Sequence, residues 1–494
     1  MNSLTSSQAI VLTLTMLIWS YLALVRRPFH FNVGKLDCSM TDSQPRRVHV
    51  VSLGCPKNRV DTELMMGRLL QGGFTPTPDA DQADVLLVNT CAFIDSSKQE
   101  SVDAILDMAE VKDRNPDARL VVAGCLSQRH APELRESMPE VDFFIGTGEY
   151  QKLSELLELP PAVALATPAA AGLKKRRPAF IADHLYPRYV PPASFSTYLK
   201  IAEGCSQSCS FCIIPRLRGI QRSRTVDDIV DEARRLVEQG ALELNLVAQD
   251  LTHYGEDLRD PDLLAKLVRQ LGTVDGLRWV RLMYAYPHNF SDSLIDAIAQ
   301  TDNCLPYLDM PLQHASDAVL EKMNRRTSRL EMETLLDKLR RRVDGLVLRT
   351  TLLVGHPGER EQDFDELYDF VQQQRFHRVG CFAYSQEQGT VSARMPEQLP
   401  TAVKRARKSR IMQLQQAISA EHLEQMVGQR YEVLVEGLSE ESDLLLQGRY
   451  YGQAPEIDGV IYINDAPDNI GRGQLRTVEI SEAHDYDLVG HVIA

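Results

Sequence analysis

What this sequence lacks sets aside three classes of protein at once. Its nine cysteines are odd in number and scattered over 494 residues, which does not make the dense disulfide framework of a small secreted domain. Reduced thiols in a reducing compartment are the expected state. There is no excess of positive charge, and a net of −14 argues against gripping nucleic acid over the whole surface. The apolar run Ala9–Val25 stops at the lower limit for a bilayer-spanning helix. No charge precedes it, as a signal peptide would require. Arg26 and Arg27 follow it, so a spanning helix would leave the rest of the chain cytoplasmic. The blander reading places the true start at Met40 and makes residues 1–46 an extra segment outside the fold. A cytoplasmic protein without membrane contact is expected.

What remains is ordinary globular composition, 44% hydrophobic and 25% charged. The length exceeds one hydrophobic core, so two to four domains are expected. From Arg47 to about Leu159, strand-like runs at 48–53, 84–89, 118–123 and 143–146 alternate with helical stretches. That alternation predicts a parallel sheet with crossover helices. Residues 159–180 are rich in Pro, Ala and basic residues without periodicity, and read as a linker. From Ser196 to Arg378, six strand candidates alternate with helices such as VDDIVDEARRLVEQG, which suits a full or partial parallel barrel. A helical connector over 402–425 leads to short alternating strands from 427 to the end, read as a small antiparallel β-barrel.

The sharpest motif is Cys205-Ser206-Gln207-Ser208-Cys209-Ser210-Phe211-Cys212, just past the strand TYLKIAEG. Three thiolates on one loop can ligate three irons of a four-iron cluster and leave the fourth iron open to a small molecule. The alternative is a zinc site completed by a distant fourth ligand. A second set is less obvious. Cys55, Cys91 and Cys125 each sit just past a strand, at intervals of one βα unit. The C-terminal ends of parallel strands share one edge, so these three thiols should converge on one point and hold a second cluster. A lone cysteine at any of them would more often be a small buried hydrophobe. Cys304 and Cys381 have no such partners, and Cys381 reads as core.

The CxxxCxxC loop, with Phe211 before its last cysteine, closely resembles the radical S-adenosylmethionine (SAM) superfamily. In that superfamily SAM chelates the open iron and is cleaved to a 5′-deoxyadenosyl radical. The resemblance makes the glycine-rich strand end Gly355-His356-Pro357-Gly358 a support for the adenine of SAM. Phe211, Gln249, Arg349, Gly355 and Pro357 are the candidate SAM contacts, with Asp250 beside Gln249. Both triads, the barrel between them and a terminal β-barrel resemble the methylthiotransferase family of radical SAM enzymes. The resemblance implies an N-terminal methylthiotransferase domain over 47–160, a linker over 161–190, a radical SAM domain over 191–425 and a TRAM domain over 427–494. It implies two [4Fe–4S] clusters, on Cys55, Cys91 and Cys125 and on Cys205, Cys209 and Cys212. One SAM would give a methyl group to a sulfur at the first cluster, and a second would yield the radical that opens a C–H bond. No catalytic residue beyond the cysteines is assigned.

Two branches of the family compete. One modifies an adenosine of tRNA, the other an aspartate of small-subunit ribosomal protein S-twelve. SLGCPKNRVDTE, GTGEY and KIAEGCSQSCSFCIIPRLRG resemble the second branch. Charge agrees independently: from Val427 onward there are 13 acidic residues against four arginines and no lysine, a net of −9. Such a module repels phosphate and suits a basic protein partner, so no stable nucleic-acid binding is expected. The family implies a flavodoxin- or ferredoxin-type electron donor. A non-catalytic metal-cluster scaffold is the reading from another class; it would hold no open iron and cleave no SAM.

Overall fold

The computed structural model describes residues 45–158, 178–442, 444–467 and 469–493. The apolar run Ala9–Val25, Cys38 and residues 159–177 lie outside the described residues. Among the described residues no helix is long and apolar enough to cross a membrane.

The first unit is a parallel sheet of β1 (Arg46–Ser52), β2 (Phe74–Pro76), β3 (Val85–Thr90), β4 (Arg119–Gly124) and β5 (Phe143–Ile145). Its order is β2-β1-β3-β4-β5. The three-residue β2 at its edge, ending in Pro76, is too short to show a pattern in the sequence. β3 is buried along its whole length, as a strand covered on both faces requires. Helices Pro56–Gln71, Asp95–Arg114 and Cys125–Ser137 supply that cover. The register sets Ser52 beside Asn89 and Asn89 beside Ala123, so the C-terminal ends of β1, β3 and β4 are flush.

The second unit begins with β6 (Ser196–Lys200) and the small antiparallel pair β7 (Ala202–Glu203) and β8 (Arg222–Ser223). It continues through β9 (Glu243–Val247), β10 (Trp279–Leu282), β11 (Cys304–Gln313), β12 (Val347–Val354) and β13 (Arg378–Ala383). The six parallel strands run β13-β12-β11-β10-β9-β6, an open sheet with β6 and β13 at its edges: a partial barrel. Three of its helices, Val226–Glu238, Asp292–Gln300 and Arg329–Arg342, start on side-chain caps that satisfy orphan first-turn amides. Thr225 accepts from the Asp228 amide, and Ser328 and Glu331 form a capping box. Leu244, Val280, Leu308 and Leu348 pack outward against Ile229, Leu267 and Phe364. Cys304 and Cys381 belong to this core.

Helix Thr401–Glu424 leads to β14 (Arg430–Leu438), β15 (Leu446–Tyr450), β16 (Ile461–Asp465), β17 (Leu475–Ala483) and β18 (Leu488–Val492). These close into a barrel of order β14-β15-β16-β18-β17 around Val433, Ile461, Val478 and Leu488. β18 was not among the strands expected from sequence. Its pairing with β16 is parallel, and the other pairs are antiparallel.

Three of the sets of contacts that join the units bear on their placement. Residues 178–190, expected to be linker, instead form a packed strap. Arg188 donates from Nε to Glu63 at 2.8 Å and from Nη1 to Glu232 at 2.6 Å, and its Nη2 reaches the Tyr198 carbonyl at 2.6 Å. Glu387, beyond β13, takes Lys98 at 2.9 Å and Arg129 at 2.8 Å from the first unit. Glu243, Arg281 and Arg449 are fully buried between the partial barrel and the terminal barrel, with Glu243 2.9 Å from Arg281 and 2.7 Å from Arg449. Burial alone would push the Glu243 carboxyl up; the two guanidiniums outweigh it and hold it down at about 2.

Candidate active site

The flush strand ends turn three scattered cysteines into one set. Cys55 caps helix Pro56–Gln71, Cys91 follows β3 directly, and Cys125 opens the helix after β4. Gly54 has φ +90°, and a Cβ there would stand 2.8 Å from the Cβ of Cys91; glycine lets the two loops meet. Asn58 ties them together, its Nδ2 donating to the carbonyls of Leu53 at 3.0 Å and Thr90 at 2.9 Å. Ser101 Oγ accepts from the Cys91 amide at 3.0 Å and donates to its carbonyl at 2.9 Å. The charge of Cys55 reaches both buried thiols, Cys91 and Cys125. Burial, then the charge of Cys55, push Cys91 up to about 11; burial pushes Cys125 up to about 12, with Arg218 opposing. Two such buried thiols become thiolates only if strong positive charge arrives with them, which is what iron supplies.

The second set sits on the loop after β7. Gly204 has φ +83°, and a Cβ would lie 2.2 Å from the Ile220 carbonyl oxygen. The Cys205 amide donates to the Gly219 carbonyl at 3.0 Å, and the Cys212 amide to the Cys209 carbonyl at 3.1 Å. Ser210 holds the middle of the loop: its amide donates to the Met323 carbonyl at 2.9 Å, and its Oγ to the Lys322 carbonyl at 2.8 Å. Arg325 lies 3.8 Å over the Tyr286 ring and 3.7 Å from Cys209 Sγ. Burial pushes Cys205 up to about 12 and Cys212 higher still. Among the described residues no three His, Cys, Asp or Glu side chains close tightly enough around one point to hold a single ion.

The expected SAM contacts divide. Phe211 meets His356 edge-on at 6.5 Å between ring centroids. Gly355 ends β12, its amide donating to Glu359 at 2.6 Å, and the Pro357 carbonyl lies 3.2 Å from His356 Nδ1. His356 Nε2 is 3.3 Å from Ser210 Oγ, so this strand end backs onto the cysteine loop. Gln249, past the end of β9, donates to Glu203 at 2.9 Å, and its Oε1 is a buried acceptor without a partner among the described residues. Asp250 accepts from Gln207 at 2.9 Å. An orphaned buried acceptor on a residue held by Glu203, two positions before Cys205, is a fit for a polar cofactor. Arg349 is different. It occupies the third residue of β12, low in the strand, and its Nη1 donates to Asp309 at 2.7 Å with Asp458 at 3.6 Å from Nε. At this height in the strand Arg349 serves an internal ion pair.

Several residues the sequence reading passed over lie between the two triads. Arg218, on the helical turn after the cysteine loop, stands 3.7 Å from Cys125 Sγ, 2.9 Å from Asp61 and 3.0 Å from Glu203. Lys200 pairs with Asp61 and, at 2.8 Å, with Glu203. Burial opposes ionisation of Glu203, and Lys200 and Arg218 override it, holding the carboxyl well below its usual range. From the terminal barrel, Glu456 reaches Arg59 at 2.5 Å. Asp458 accepts from Tyr307 Oη at 2.7 Å. Lys57 Nζ sits 3.3 Å over the Tyr284 ring. Only the PRLRG turn after Cys212 and the CPKN segment could have pointed to Arg218 and Lys57, and neither spacing names a partner.

Comparison with known proteins follows the same three units. Residues 47–146 match the family described as uncharacterized protein family UPF0004, residues 199–371 the radical SAM superfamily and residues 427–493 the TRAM domain. Among curated relatives, a "Ribosomal protein uS12 methylthiotransferase RimO" of Anaeromyxobacter sp. (strain Fw109-5) is 52% identical, covering 91% of this chain and 93% of its own. That of Geotalea uraniireducens (strain Rf4) is 46% identical, covering 92% of this chain and 100% of its own. That of Myxococcus xanthus (strain DK1622) is 48% identical, covering 92% and 93%. Among solved structures, the radical SAM methyltransferase TsrM of Kitasatospora setae, with cobalamin and a [4Fe–4S] cluster bound, is similar at TM-score 0.51. It is 16% identical, over 69% of this chain and 72% of that one. This likeness is one of fold.

Proposed function

The chain belongs to the RimO family of ribosomal protein uS12 methylthiotransferases, and on that premise we propose that it adds a methylthio group to the β-carbon of an aspartate in uS12. The observation that supports the reading is geometric: two cysteine triads on different units are linked by Arg218, which reaches from the helical turn after one to Cys125 of the other. Two [4Fe–4S] clusters and SAM, when bound, supply the methylated sulfur and the radical that opens an unactivated C–H bond, chemistry beyond any acid–base side chain.

The protein's share is to hold, orient and keep dry. Cys55, Cys91 and Cys125 hold one cluster, and Cys205, Cys209 and Cys212 the other. Arg218 offsets thiolate charge at the first. Gln249 Oε1, Phe211, Gly355 and Pro357 line the SAM side, and Arg349 supports the wall beneath. The units run over 47–160, 191–425 and 427–494, with the part of the 161–190 segment from 178 on acting as a strap.

Glu436, Glu456 and Asp458 face inward onto Arg449, Arg59 and Tyr307. Glu440, Glu441, Asp465, Glu482 and Asp485 remain on the exterior of the terminal barrel and favour a basic partner such as a ribosomal protein. A flavodoxin- or ferredoxin-type protein in the cytoplasm supplies the electrons. The test offers reconstituted enzyme, reductant and SAM a uS12-loop peptide in one tube and unmodified tRNA in another, read by mass spectrometry. A methylthio gain on the peptide aspartate supports the proposal; a gain on tRNA adenosine alone keeps the chemistry and overturns the substrate.

A further inference from the structure

Lys57 lies two residues from Cys55 and has no carboxylate partner among the described residues. The residue is 8% exposed, yet among the described residues no carboxylate or other acceptor lies within bonding reach of its Nζ, which rests on the face of Tyr284. Its charged neighbours are Cys55, Arg218, Asp309 and Glu203. The two carboxylates are already taken, Asp309 by Arg349 at 2.7 Å and Glu203 by Lys200 at 2.8 Å and Arg218 at 3.0 Å. The nearby guanidiniums are taken in turn, Arg59 by Glu456 and Arg218 by Asp61. A buried ammonium with only an aromatic face for company is costly unless an anion completes it.

Its platform is strained as well. Tyr284 has φ +64°, a region bulky residues avoid, and it is fixed there by its amide donating to Asp309 Oδ2 at 3.2 Å. Strain of this kind persists where the surroundings enforce it, and it clusters at ligand sites. The strain here sets the ring under Lys57 just past the end of β10.

We propose that Lys57 binds the side-chain carboxylate of the target aspartate and so places its β-carbon between the two cysteine triads. This rests on the uS12 reading. An aspartate's reacting carbon is one bond from its carboxylate, so one fixed salt bridge orients the C–H bond more closely than any contact along the peptide. A carboxylate also completes the unpaired ammonium, and an amide in its place does not. Lys57 is therefore a substrate-binding residue that selects aspartate over asparagine.

The experiment measures binding of two uS12-loop peptides, one with the target Asp and one with Asn there, to reconstituted full-length enzyme and to Lys57→Met and Lys57→Arg. Fluorescence anisotropy without reductant gives the affinities, and iron content shows whether both triads stay loaded. Wild type is expected to prefer the Asp peptide by about ten- to a hundredfold, the range for a buried charge-assisted bond. Lys57→Met should bind both alike with its iron intact, and Lys57→Arg should recover a preference. A Met variant that still prefers Asp, or an iron-loaded Arg variant that does not, overturns the assignment. Wild type binding both peptides equally overturns it while leaving the uS12 reading standing; wild type binding neither brings down the uS12 reading itself.

Discussion

Arg218 lies six residues beyond Cys212 in sequence, yet its Nη2 is 3.7 Å from the sulfur of Cys125 in the other triad. The same guanidinium holds Glu203, which precedes the Gly204 turn into the cysteine loop, and Asp61, on the helix that Cys55 caps. One side chain thus fixes the relative position of two cluster loops carried by different units.

Replacing Arg218 by Leu leaves Asp61 and Glu203 buried with Lys200 as their remaining cation. Breaking a buried ion pair from one side costs about 3–5 kcal/mol. The expected outcome is a marked fall in thermal stability and loss of iron from the first triad before the second, read by unfolding curves and iron per chain. Wild-type iron and stability would contradict the bridging role.

Gly204→Ala asks for a Cβ 2.2 Å from a backbone oxygen at φ +83°. Backbone cannot give way as a flexible side-chain end does, so the loop must move. The variant is expected to fold, because the partial-barrel core lies on the outer face of the sheet, and to lose iron at Cys205, Cys209 and Cys212. Its absorbance near the iron–sulfur bands should fall accordingly.

The Glu243 triad predicts a pH dependence with a defined sign. Its folded value of about 2 lies below the roughly 4.3 of an unfolded glutamate, so the unfolded state binds the proton first. The stabilisation is complete above the unfolded value and is lost as pH falls through the folded one, on the order of 3 kcal/mol in all. In urea titrations, the stability gap between wild type and Glu243→Gln should narrow from pH 5 to pH 2. A gap that is constant or widens on acidification contradicts the arrangement.

What was legible in the sequence had local causes. Cys55, Cys91 and Cys125 could be brought together because each follows a strand by the same short step, and parallel strands end on one edge. The CxxxCxxC loop needed only its own spacing. Arg218, Lys57 and Glu456 were not legible, because their partners lie on other units: Arg59 meets Glu456 across 397 residues of chain. The pairing of Arg349 with Asp309 was not legible either, since period-two alternation tells the face of a residue but not its depth. The stretch from 178 to 190 looked like linker because aperiodic sequence is silent about Arg188, whose three-way grip makes it a strap. β2 is three residues ending in Pro76, and in β18 the inward position after Leu488 is Gly490, so neither shows an apolar alternation.

The central claim is a division of labour between two triads, and it is tested most directly by assaying Cys91→Ala and Cys209→Ala side by side for 5′-deoxyadenosine and for methylthio product on the uS12 peptide. The account predicts that Cys209→Ala forms neither, whereas Cys91→Ala still cleaves SAM and transfers no methylthio group. Loss of 5′-deoxyadenosine as complete in Cys91→Ala as in Cys209→Ala, with iron still bound at the second triad, would contradict it.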